Sequence, residues 1–188
     1  WGTYLTCEEN FNGYFGWNGA RTPRAHESRY GLSQGGFGYR WHEVDPRFDV
    51  SRNPNEPHRF GWVVEIDPYD PSATPKKRTA LGRMKHENAE VVVAKDGRVV
   101  VYMGDDQVFE YIYKFVSEGR YDARNPAANR DLLDRGTLYV AKFANGATNI
   151  RRRGAKKETP EEDALQGMHR MADFMRVPNL AGLAGYEH

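Results

Sequence analysis

From Val108 to Val116 the chain places Phe109, Tyr111, Tyr113 and Phe115 at every second position. A period of two belongs to a pleated strand, whose neighbouring side chains leave on opposite faces. Four aromatic rings on one strand face need a second layer to cover them, so the stripe reads as core rather than as a ligand cage. Shorter pieces of the same kind surround it. Trp1 to Thr6 alternates large and small residues, and Gly61 to Pro68 is a strand closed by a turn. Glu90 to Ala94 is β-branched, Asp96-Gly97 is a tight hairpin signal, and Arg98 to Met103 is the return strand. Gly136 to Phe143 is a further strand ahead of Asn145-Gly146. Together these predict a mainly β, antiparallel fold: a sandwich, a barrel or propeller blades. No internal repeat chooses among the three.

Two stretches break the pattern. Residues 17–60 keep no sustained period, are rich in Arg, Pro, Asn and Gly, and carry His26, His42 and His58. A loop of that length, with short helices at most, is usually a lid or a binding loop. Past residue 143 the character changes again. Arg151, Arg152, Arg153, Lys156 and Lys157 precede Thr159-Pro160-Glu161-Glu162, a capping box with Pro at the first helical position. Leu165, Met168, Met171, Ala172 and Met175 then follow at helical spacing, which predicts an amphipathic C-terminal helix over 160–176.

Charge and cysteine content narrow the function classes. With 27 basic against 26 acidic residues, bulk electrostatics does not favour nucleic acid as a partner. The single Cys forbids an internal disulfide framework and a Cys-rich zinc site. No apolar run approaches the roughly 18 residues of a transmembrane helix. The chain opens Trp1-Gly2 without Met, which reads as processed or as part of something longer.

Three acidic clusters fall at strand ends. Cys7-Glu8-Glu9 joins a thiol to two carboxylates, either as metal ligands or as a buried Cys beside solvated acids. His86-Glu87 stands just before the strand at Glu90 and is a candidate acid–base or metal pair, or a surface pair. Asp105-Asp106 is a candidate calcium loop or an Asp-rich turn. Carboxylates suit hard cations, and the thiolate argues against calcium alone. In a propeller or barrel such strand ends converge on one face.

Five blocks in order carry a family resemblance. They are Thr6-Cys7-Glu8-Glu9-Asn10, Gly82-Arg83-Met84-Lys85-His86-Glu87, Val101-Tyr102-Met103-Gly104-Asp105-Asp106, Glu110 to Ser117 and Leu138 to Phe143. Together they resemble the PhoX family of bacterial alkaline phosphatases over about residues 1–143. The resemblance implies a partial β-propeller over 1–143 and a divergent tail over 144–188. It implies hydrolysis of phosphate monoesters in phosphate acquisition, a periplasmic or secreted location, and a site holding iron(III) with calcium. By resemblance Cys7, Glu8, Glu9 and Glu87 share the metal cluster. Asp105 and Asp106 join it by position, with Glu87 and His86 as the catalytic pair. Family members are several times longer. The chain is therefore expected to be a segment of such an enzyme, or a non-catalytic remnant that binds or assembles with other chains and covers its open propeller edges by self-association.

Overall fold

The computed structural model describes residues 2–143 and the strand at Ala172–Arg176. Two antiparallel sheets are present. The first has three strands in the order β1 (Tyr4–Cys7), β2 (Val63–Ile66), β3 (Lys76–Lys77). The second has five, in the order β4 (Glu90–Val93), β5 (Arg98–Gly104), β6 (Ile112–Arg120), β7 (Gly136–Phe143), β8 (Ala172–Arg176). The mainly β, antiparallel expectation holds, and the described residues close no barrel.

The β4–β5 hairpin forms where Asp96-Gly97 foretold it. Gly97 takes a left-handed φ of 85° and donates its N–H to the Ala94 carbonyl at 2.8 Å, while Asp96 Oδ1 accepts from the Arg98 N–H. In β5 every residue from Val99 to Met103 is buried, so the middle of the sheet is covered on both faces. Val99, Val101 and Met103 pack with Tyr113, Phe115 and Leu138 from the neighbouring strands and with Leu81, Met84 and Leu133 from the connections. Val63 of β2 joins this cluster, and Leu5 and Cys7 of β1 pack against it. One apolar core therefore ties both sheets together. Burying each large side chain in it contributes about 1.5–3 kcal/mol.

The aromatic stripe is only half core. Tyr113 and Phe115 are buried, whereas Tyr111 is half exposed and Phe109 is 96% exposed. A turn over Gln107–Glu110, closed by the Glu110 N–H on the Gln107 carbonyl, puts Phe109 at φ 68°. The alternation is broken there, and β6 begins only at Ile112.

Residues 17–60 are not structureless. They contain α1 (Ala25–Arg29), α2 (Trp41–Val44) and two 3-10 turns, Pro46–Phe48 and Glu56–Arg59. Phe11, Phe15, Trp17, Tyr30, Leu32 and Val50 give them a small apolar centre of their own. The expected helix over 160–176 is corrected at its end. Ala172–Arg176 is a strand, with Met175 opposite Val140 of β7, while 160–171 and the basic run at 151–157 lie outside the described residues. β7 offers an edge whose ladder pairs the backbone groups on the facing side of a partner strand, and that outweighs a weak helical period. Among the described residues no helix is long and apolar enough to cross a membrane.

Candidate metal centre

The chain leaves β1 at Cys7 and turns through Glu8 and Glu9. Cys7 pairs with Val63 across the sheet, and its half-buried sulfur packs against the shared core. Burial, and after it the charge of Glu9, pushes its thiol pKa up. Glu8 points into the fold. Its Oε2 accepts from the backbone N–H groups of Gly61 and Trp62, both at 3.1 Å, and its Oε1 accepts from Lys77 Nζ at 2.6 Å. Glu9 is left to face outward, with Oε1 accepting from Asn10 Nδ2.

A short backbone crossing brings the other two clusters together. His86 and Asp105 oppose each other in an isolated antiparallel bridge. The Asp106 N–H donates to the Lys85 carbonyl at 3.0 Å, the Glu87 N–H to the Gly104 carbonyl at 3.3 Å, and the Lys85 N–H to Asp105 Oδ1 at 3.2 Å. Along this crossing neighbours alternate between inside and outside. His86 is fully buried, and its Nε2–H donates to the Gly82 carbonyl at 2.9 Å. Burial lowers its pKa to about 4. Glu87 and Asp106, each one position further on, are exposed.

The consequence is a trio. Glu9, Glu87 and Asp106 each offer a carboxylate oxygen, and these atoms lie within 4.8 Å of one another. It is the one such grouping of acidic, His or Cys ligands among the described residues. Residues 78 positions apart in sequence meet at the ends of separate strands, as the clustering of acids there anticipates. Glu9 first and Asp106 second raise the pKa of Glu87, because three like charges share one place. Burial pushes Asp105 up to about 6.

Of the residues singled out in the sequence, Glu9, Glu87 and Asp106 are brought together. Cys7, Glu8, Asp105 and His86 stay outside that grouping, Glu8 because both its oxygens are taken by the fold and His86 because it is interior. Two residues were missed: Lys77, which pairs with Glu8, and Arg83, whose guanidinium is buried between the Phe11 and Tyr30 rings. Arg83 stood in a quoted block, but no spacing rule links it to Phe11 or Tyr30.

The family model for alkaline phosphatase PhoX matches residues 1–167, so the likeness runs beyond the strand that ends at Phe143. Among solved structures, Pseudomonas fluorescens PhoX in complex with vanadate, a transition state analogue, is similar at 58% identity and a TM-score of 0.76. The match covers 80% of this chain and 26% of that one, so the chain spans about a quarter of its neighbour's length. No curated protein sequence matches significantly.

Proposed function

Because this chain belongs to the PhoX family of alkaline phosphatases, we propose that it supplies part of a metal centre that hydrolyses phosphate monoesters. The observation that carries this reading is the convergence of Glu9, Glu87 and Asp106 oxygens within 4.8 Å. The donor set fits the expected ions. Calcium takes many oxygen ligands in flexible geometry, and iron(III) is also a hard acceptor for carboxylates. The raised pKa of Glu87 fits too, since a cation among three carboxylates relieves the repulsion that raises it.

Glu9, Glu87 and Asp106 would hold calcium, and by the family likeness Cys7 would serve iron(III). Bound there, these ions supply positive charge to the phosphoryl oxygens. Glu87, an exposed member of the group, would exchange a proton with a substrate. His86 serves the fold, holding the turn from Gly82 through its Nε2. The larger body is a propeller, with residues 1–143 forming part of it, and the full-length protein is exported to the periplasm or beyond. The likeness to a protein held in a vanadate complex supports phosphate esters as substrates.

The test is metal analysis of the purified chain, with hydrolysis of p-nitrophenyl phosphate when calcium and iron are supplied. Bound metal that is lost when Glu9, Glu87 and Asp106 are changed to amides supports the reading. A chain that takes up neither ion removes it. A second reading is a non-catalytic propeller remnant that self-associates. It is favoured by Val91 and Val93, which stand exposed on β4 at the edge of the five-stranded sheet. A monomeric mass in size-exclusion chromatography would remove it.

A further inference from the structure

The three acids reach one place only if the segment carrying Glu9 and the segment carrying Glu87 are held at a fixed separation, and neither strand pairing does this directly. Between them runs Phe60-Gly61-Trp62. On one side, the Gly61 and Trp62 N–H groups donate to Glu8 Oε2, and the Glu8 N–H donates to the Trp62 carbonyl at 3.1 Å. On the other, Arg83 Nε donates to the Phe60 carbonyl at 2.7 Å, and the Met84 N–H donates to the Gly61 carbonyl at 3.0 Å. The Phe60 carbonyl and the Gly61 N–H belong to one trans peptide unit and point opposite ways. A carboxylate therefore grips that unit from one side and a guanidinium from the other.

Both gripping groups are themselves fixed. Lys77 Nζ occupies the second Glu8 oxygen. Arg83 is 4% exposed, its Nη2 donates to the Pro57 carbonyl at 2.9 Å, and its guanidinium carbon lies 3.9 Å from the Tyr30 ring centroid and 5.1 Å from that of Phe11. The gripped residue has no freedom either. Gly61 has φ 93°, and a Cβ there would meet the Phe11 ring at 2.7 Å. Glu9 follows Glu8 immediately, and Arg83 is joined to Glu87 through Met84, Lys85 and His86 alone.

We infer that Glu8 and Arg83 are positioning residues which, by clamping the Phe60–Gly61 peptide between them, set the distance between Glu9 and Glu87. Glu8 is then not a metal ligand, although its neighbour is. This rests on the metal reading above, and the experiment separates the two. Terbium(III), a luminescent stand-in for calcium, is titrated into the whole chain and into Glu9→Gln, Glu8→Gln and Glu8→Ala, with the unfolding midpoint of each measured without metal.

A ligand loses affinity when its charge is removed, so Glu9→Gln falls steeply. Glu8→Gln keeps an oxygen that accepts both N–H groups and binds terbium much as the unaltered chain does. Glu8→Ala leaves both N–H groups unpaired and weakens binding by about 10–100-fold, the usual cost of losing a group that orients a ligand. Should Glu8→Ala not fold, Glu8→Gln against Glu9→Gln decides alone. If Glu8→Gln falls as far as Glu9→Gln, Glu8 is a ligand and the positioning role is overturned while the metal reading stands. Full affinity in a folded Glu8→Ala overturns it equally. An unaltered chain that binds no terbium removes the metal reading, and the positioning role goes with it.

Discussion

Replacing Arg78 by Met tests how the sheet that carries Cys7, Glu8 and Glu9 is fastened to the rest. Arg78 is 2% exposed. Its Nε donates to Glu65 Oε2 at 2.7 Å and its Nη1 to Asp134 Oδ1 at 2.5 Å, while its Nη2 donates to the Arg130 carbonyl. Glu65 lies in β2 and Asp134 just before β7, so one guanidinium joins the two sheets. Met conserves most of the stem volume and removes the charge. Asp134 is 44% exposed at its side chain and reverts to water, whereas Glu65 is 5% exposed and keeps the Thr3 hydroxyl as a donor but loses the guanidinium. Breaking a buried pair from one side costs about 3–5 kcal/mol, because the partner carboxylate stays buried after losing the guanidinium. With a urea slope of about 2 kcal/mol/M, the midpoint followed by tryptophan fluorescence should fall by about 2 M. Changing Glu65 to Leu as well removes the stranded charge and should return most of the stability, since buried pairs exchange for apolar ones at little net cost. A single variant that loses less than about 1 kcal/mol, or a double variant as weak as the single, would refute the account of Arg78 as a buried tie.

Two further outcomes follow from other groups. Burial, and after it the charges of Arg83, His26 and Arg24, lowers the pKa of His58 to about 3, and its ring lies tilted against that of His26, with centroids 4.6 Å apart. A base held neutral by the fold contributes stability above its unfolded value near 6.5 and loses it as the pH falls toward 3. The urea midpoint of the unaltered chain should therefore drop more between pH 7 and pH 4 than that of His58→Gln, and equal drops would contradict the assignment. Glu87 has its pKa raised, so the metal-free fold loses stability as the pH rises through the carboxylate range. Metal-free Glu87→Gln should unfold at a higher temperature than the parent at pH 8 and gain less from added calcium. A parent insensitive to both changes would count against the trio.

Much of the strand inventory was legible because strand periodicity and hairpin chemistry are local. Asp96-Gly97 needs only a left-handed residue between two apolar runs, and Val99 to Met103 needs only to be apolar. Phe109 and Tyr111 depart from the strand pattern for the opposite reason. Their alternation is intact in sequence, and it is the turn at Gln107–Glu110 that takes them off the sheet. The end of the predicted tail helix failed likewise, since residues 172–176 found a strand edge to pair with. Among candidate ligands, residue type marked Glu9, Glu87 and Asp106 but marked Cys7, Glu8, Asp105 and His86 equally.

The amino-acid order by itself settled the β character, the hairpin, and the placing of acids where strands end. It also settled the family, because five blocks in one order are a property of the chain alone. Which acids share a site was decided by tertiary structure. The choice between Glu8 and Glu9, or between His86 and Glu87, depends on which way one peptide faces at a crossing of distant segments. That facing is fixed by backbone hydrogen bonds to Gly61, Trp62 and Gly104, residues that no local rule connects to the acids they orient.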